Sequence, residues 1–164
     1  MTDCLVVTEE ELRRLSTHAA AHDRLRLNLN LHPEPADPIQ RLCTAFEPGT
    51  YVRPHRHEQD ERWELFAVLM GRAVVLTFDT EGRVVERITL GVGMDALLVE
   101  IPPRTFHTVA SLSRETVLFE VKPGPYQAST DKFFAPWAPS EGDTQCVAWV
   151  EWYERAEVGQ CFAG

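Results

Sequence analysis

Apolar positions along this chain change period, and the changes mark out its elements. Leu12, Leu15 and Ala19 repeat at helical spacing after Thr8, and Glu11 stands three residues beyond that threonine as a capping box requires. One amphipathic helix ending near His22 is predicted. Over residues 25–31 the period drops to two, with Leu25, Leu27, Leu29 and Leu31 on one face and Arg26, Asn28, Asn30 and His32 on the other. The polar face of this strand either meets solvent or lines a pocket, where amides and an imidazole beside a guanidinium would suit a polyhydroxylated or anionic ligand.

Further short apolar or alternating runs occupy residues 39–46, 51–57, 63–69, 73–78, 84–90, 96–101, 105–110 and 116–121. Most are separated by turn residues, among them Pro48-Gly49, Gly71, Gly82, Gly91, Gly93 and Pro102-Pro103. Many short strands at this spacing predict an all-β sandwich or barrel, of which the jelly roll is one solution. After Pro123, Pro and Gly cluster as far as Gly142, and an aromatic stretch of no clear type follows over 147–153. Trp137, Trp149 and Trp152 are costly to leave in water, so this arm is expected to pack on the barrel or on another subunit. The chain therefore reads as one domain over 1–164: a helix and strand in 1–32, a β-barrel core in 33–122 and a C-terminal arm in 123–164.

Composition narrows the partners. The 164 residues are 44% hydrophobic and 25% charged, ordinary for a globular protein, and a net charge of −9 argues against nucleic acid or an anionic membrane. No apolar run approaches the roughly 20 residues of a membrane span, and the first residues lack a basic segment with an apolar core, so a cytoplasmic protein is expected. Cys4, Cys43, Cys146 and Cys161 are scattered, form no C-x-x-C pair and read as structural or incidental thiols. Phosphate-loop, dinucleotide and nucleophile-elbow motifs are absent, and Asp131-Lys132 reads as a solvated charge pair.

The chemistry concentrates elsewhere. His55 and His57 stand two apart in an extended run and project to one side, Glu64 begins the next strand, and His107 follows a Pro-Pro turn. Antiparallel pairing can bring a carboxylate and three imidazoles together on one metal ion. Glu61 is the rival carboxylate, but Glu58-Gln59-Asp60-Glu61 reads as solvated loop and Trp63-Glu64-Leu65-Phe66 as strand. Such donors suit Fe(II), Mn(II), Ni(II), Co(II) or Zn(II) without choosing among them. If alternation extends back from His55, Tyr51 and Arg53 share its face and would orient a small anionic substrate, unless Arg53 instead pairs internally with a carboxylate such as Glu120. Phe66 shares the face of Glu64 and would form apolar pocket wall.

These residues resemble a known family. Gly49, five residues, His55-x-His57, six residues, Glu64, six residues and Gly71 are similar to the first cupin motif, with a longer His-to-Glu loop. Pro102-x-Arg104-x-x-His107 is similar to the second, with Arg104 where glycine is usual and Ser111 where asparagine is common. More narrowly, Arg26-Leu27-Asn28-Leu29-Asn30-Leu31-His32-Pro33, Gln40-Arg41, Pro48-Gly49-Thr50-Tyr51-Val52-Arg53-Pro54-His55-Arg56-His57, Glu120-Val121-Lys122-Pro123-Gly124-Pro125-Tyr126 and Phe134-Ala135-Pro136-Trp137-Ala138-Pro139-x-Glu141 resemble the WbuC-type cupin-fold metalloproteins. That resemblance implies a cupin jelly roll, one divalent transition metal ion and an association with O-antigen sugar assembly in some bacteria. The outer face of the fourth strand, Leu65, Ala67 and Leu69, needs cover from the helix, from the arm or from a second subunit, and the resemblance favours a homodimer. The expected function is that of a metal-dependent enzyme, an isomerase, epimerase or oxygenase, acting on a small polar metabolite such as a sugar derivative, with His32 or metal-bound water moving protons. The alternative is a non-catalytic metabolite-binding module.

Overall fold

The computed structural model describes residues 4–129 and 131–164. Helix α1, Glu9–Ala20, starts on a complete capping box: Thr8 N–H donates to Glu11 Oε2 at 2.7 Å and Glu11 N–H to Thr8 Oγ1 at 3.3 Å. Ten strands follow: β1 (Arg26–Asn30), β2 (Ile39–Phe46), β3 (His55–Arg56), β4 (Glu64–Met70), β5 (Ala73–Phe78), β6 (Val84–Leu90), β7 (Leu98–Ile101), β8 (Phe106–Ser111), β9 (Thr116–Pro123) and β10 (Phe133–Phe134). They form two five-stranded antiparallel sheets, ordered β1-β2-β9-β4-β7 and β10-β3-β8-β5-β6. This is the jelly-roll sandwich that the run lengths predict. Residues 147–153, of undefined type in the sequence, lie within helix α2, Cys146–Arg155.

Alternation explains how the layers stack. Phe46, Val52, Phe66, Val75, Val109 and Leu118 meet between the sheets. On the outside of the first sheet α1 packs Leu12 and Ala19 against Cys43, Ala45 and Val117. On the outside of the second sheet, Val74, Leu76, Phe78 and Phe106 are covered by Trp149, Trp152 and Tyr153 of α2, so the arm packs on the barrel. Strands β5 and β8 are consequently buried along their whole length. Leu69 of β4 stays half-exposed, in a surface groove that it shares with Glu9 and Leu12 of α1. Among the described residues no helix is long and apolar enough to cross a membrane.

Two turns with left-handed residues bound the strands of the site. Gly71 has φ 71°, and a Cβ there would lie 2.6 Å from Thr116 Oγ1, so the β4–β5 turn admits no side chain without moving β9. Arg104, at the usual glycine position of the second motif, takes the left-handed conformation anyway, with φ 62°. It is held there by its N–H donating to the His57 carbonyl at 2.8 Å, by Nε to the Glu58 carbonyl at 3.1 Å and by an ion pair with Asp60 at 2.8 Å. The turn before His107 is thereby tied to the loop after His57.

Because Trp149 is 4% exposed and stacks on Phe162 at 4.4 Å, Trp149→Ala is expected to lower unfolding free energy by about 3–5 kcal/mol in chemical denaturation. A change below about 1 kcal/mol would mean that the arm does not stabilise the sandwich.

Candidate metal centre

Each of the four candidate ligands is set by a different piece of backbone. His55 on β3 is the direct cross-strand partner of His107 on β8, their ring centroids 4.5 Å apart. His57 follows β3, and Glu64 opens β4 in the opposite sheet. The centre therefore bridges the two sheets. All four residues are at most 3% exposed, and their ligand atoms lie within 4.8 Å of one another.

The protonation pattern follows from the neighbours. His55 Nδ1 sits 2.9 Å from the Arg53 carbonyl, His107 Nδ1 2.9 Å from the Thr105 carbonyl, and His57 Nδ1 against the Asp131 carbonyl. A carbonyl only accepts, so in each ring Nδ1 carries the hydrogen and Nε2 of the neutral ring holds a lone pair. Burial holds His55 well below the ordinary imidazole range and keeps it neutral. The Nε2 atoms of His57 and His107 then lie 3.3 and 2.8 Å from Glu64 Oε2, and His55 Nε2 is buried with no hydrogen-bond partner among the described residues. Three imidazoles and a carboxylate gathered in this way form a donor set that a cation can enter. Ligand atoms at right angles on one ion, each about 2.1 Å from it, are about 3 Å apart, so the donor set fits a divalent metal.

A family described as a domain of unknown function (DUF6016) matches residues 7–90, just over half of the chain and three of these four ligands. The chain belongs to the DUF6016 family. Among curated proteins, none matches its sequence. A solved structure of a Bacillus subtilis oxalate decarboxylase variant superposes with a TM-score of 0.50 at 18% identity, covering 66% of this chain and 27% of that one. A cupin superfamily protein from Desulfitobacterium hafniense gives a TM-score of 0.49 at 19% identity, over 66% of this chain and 86% of that one. KdgF from Halomonas sp. gives 0.48 at 16% identity, over 63% and 82%. The DUF6016 chain thus spans about a quarter of oxalate decarboxylase, and what they share is the cupin fold.

In the DUF6016 chain the centre lies at the inner end of a cavity of about 480 Å³. Of the residues expected to line it, Arg26, Asn28, His32 and Phe66 do so. His32 Nδ1 lies 3.1 Å from the Arg41 N–H and 3.0 Å from the Arg41 carbonyl, so that nitrogen is engaged with β2 and Nε2 is the one left for the cavity. Arg26 is largely committed already, donating to the Tyr51 carbonyl at 2.6 Å and pairing with Glu141.

Tyr51 and Arg53 are a correction to the expected pocket. Tyr51 Oη donates to the Pro139 carbonyl at 2.9 Å and its ring stacks on Tyr153, while Arg53 donates to the Ala135 carbonyl at 3.1 Å and to Ser140 Oγ at 3.2 Å. Both clamp the C-terminal arm, and Arg53 makes no pair with Glu120. The reason lies in the backbone. Strand pairing covers only His55–Arg56, Pro54 has no N–H for a ladder, and alternation does not pass back through it, so Val52 faces the cavity in their place. Glu61 is exposed in its loop, which leaves Glu64 as the carboxylate of the site.

A charged cluster beside the centre escaped the sequence reading. Lys122 Nζ lies 3.1 Å from Glu120, 3.3 Å from Asp131 and 3.6 Å from Glu64 Oε1, and all four residues are buried. Asp131 is thus no solvated partner of Lys132; its side chain pairs with Lys122 and its carbonyl orients His57. Burial alone would raise Glu64, but its charged surroundings, the Lys122 ammonium foremost, outweigh it and hold the carboxyl well below its usual range. Burial also dominates at Glu120, which is pushed up to about 7. At Lys122 the three carboxylates overcome desolvation and raise the pKa. Lys132 lines the cavity while keeping contact with solvent, and desolvation lowers its pKa. The signal was present in β9, where Glu120 and Lys122 share the inward parity of Leu118, but a strand ending in charge reads equally as a solvated end.

Lys122→Met leaves three buried carboxylates without their cation and is expected to destabilise the protein by about 3–5 kcal/mol, with part recovered in Lys122→Met/Glu120→Gln. Denaturant titration of the single and double variants checks this. Additive losses would show that the two residues are not coupled.

Proposed function

We propose that this DUF6016 protein is a metal-dependent cupin enzyme acting on a small polar or anionic metabolite, such as a sugar derivative, by isomerisation, epimerisation or oxygenation. The observation that carries the reading is the buried His55, His57, Glu64 and His107 set at the inner end of an open cavity. A metal held by four protein donors keeps coordination positions for water or substrate if it is six-coordinate, and would supply Lewis-acid polarisation there. Oxalate decarboxylase of Bacillus subtilis, which shares the fold, has Mn(II) centres, and three imidazoles with one carboxylate also suit iron, nickel, cobalt and zinc.

The chain's own groups do the rest. Lys122 engages Glu64 Oε1 and leaves Oε2 toward the imidazoles, so the carboxylate is oriented before any ion arrives. Lys132 brings a cation to the cavity and favours an anionic substrate. His32 offers its Nε2 to a polar group of the substrate, and Phe66 and Val52 exclude water from one wall. The ordered phrases around Asn28, His55, Lys122 and Trp137 support kinship with the WbuC-type cupins and, through it, a place beside O-antigen sugar assembly.

Elemental mass spectrometry on untagged protein is expected to find about one equivalent of a divalent transition metal per chain, and at least a tenfold loss in His55→Ala. Absence of metal from the wild type, even after incubation with Mn(II), Fe(II) and Zn(II), would refute the reading. Turnover in a screen of sugar acids, with and without oxygen, distinguishes an enzyme from a module that is merely stabilised by its ligand.

A further inference from the structure

The cavity is longer than its metal end requires, and its walls change character along β2. Gln40, Leu42, Thr44 and Phe46, alternate residues of that strand, all line it. Gln40 pairs in register with Lys122, beside Glu64, and Thr44 stands four residues further on, about 13 Å along the strand. The intervening walls are apolar, with Leu42 on β2 and Phe66 on β4 both facing the cavity.

At the far end polar groups return. Thr44 is 7% exposed, and its Oγ1 is buried with no hydrogen-bond partner among the described residues. An unpartnered buried hydroxyl costs on the order of 1–3 kcal/mol, and because Thr44 lines the cavity, a turn about its χ1 brings Oγ1 to the cavity surface, where a bound group satisfies it. Directly across the ladder from Thr44 is Asn28, whose Nδ2 donates to Asn30 Oδ1 at 2.6 Å. All three line the cavity, Thr44 inside and the asparagines at its solvent-facing rim. Arg24 and Arg26 also line this end, but both guanidiniums pair with Glu141, so the groups left for a ligand are the hydroxyl and the carboxamides, which donate and accept without charge and match the hydroxyls of a neutral unit.

We propose that the cavity takes a two-unit ligand, with an acidic head beside Glu64 and a neutral, hydroxyl-rich second unit bound by Thr44 and Asn28, in the class of a disaccharide aldonic acid. A single small acid held at the metal end cannot reach the polar groups at the other. This inference rests on the reading of the inner end as a metal and anion site, and extends it to the length of the substrate.

The test compares D-gluconate with lactobionate, the same acid carrying one further sugar, by calorimetric titration of the Mn(II)-reconstituted protein. Wild type is expected to bind lactobionate at least about tenfold more tightly, and Thr44→Val and Asn28→Ala are each expected to cut that ratio by about threefold or more, the loss of one hydrogen bond. Thr44→Val keeps β-branching and volume, so the strand is retained, and a thermal melt confirms it. Gluconate binding with no preference for lactobionate, or a preference that survives in both variants, overturns the two-unit ligand while leaving the anion site standing. Failure of both acids to bind overturns the anion site and this inference with it.

Discussion

Three imidazoles, each pinned through Nδ1 to a backbone carbonyl, bring ligand atoms within 4.8 Å of one another and of one buried carboxylate. Everything distinctive about this sandwich follows from that constraint. The carbonyls of Arg53 and Thr105 lie on the strands that bear His55 and His107, or immediately before them, so those rings are fixed by local chain geometry. The Asp131 carbonyl comes from the C-terminal arm, so the orientation of His57 depends on how that arm is docked. The arm in turn is clamped by Tyr51 and Arg53 and by the aromatic packing of α2, which links the outer layer of the second sheet to the centre.

A concentration of charge in the interior is tolerated because it is nearly self-compensating. Lys122 neutralises part of what Glu64, Glu120 and Asp131 bring, and a divalent ion among the imidazoles would neutralise the remainder. Buried clusters of this kind add little net stability compared with apolar packing, and their retention marks a site kept for chemistry. The apolar floor of Val52, Phe66 and Val109 lowers the local dielectric, which strengthens every charge interaction at the inner end of the cavity.

Much of this was legible in the sequence, for reasons that differ by element. Strands β2, β5 and β6 coincide with their alternating or apolar runs because each has a face against the core and a turn at each end. The capping box of α1 is a local signal and survives intact. The ligand set could be found because His-x-His, the carboxylate and the second-motif histidine are spaced by strand pairing, which spacing reports well. Tyr51 and Arg53 were misplaced because Pro54 interrupts the strand and breaks parity, while Lys122, Asp131 and Thr44 owe their roles to neighbours far along the chain. Helix α2 was hidden because Val147, Trp149, Val150, Trp152 and Tyr153 give it apolar residues on more than one face, and only contact with the second sheet decides its type.

The central claim is that one cation is held by three imidazole nitrogens and one carboxylate oxygen at the sheet junction. X-ray absorption at the edge of the bound metal tests it most directly. The account predicts a first shell of nitrogen and oxygen donors at about 2.0–2.2 Å, with the outer-shell scattering of three imidazoles that falls to two in His107→Ala. A sulfur-containing shell, or a spectrum unchanged by that substitution, would contradict it.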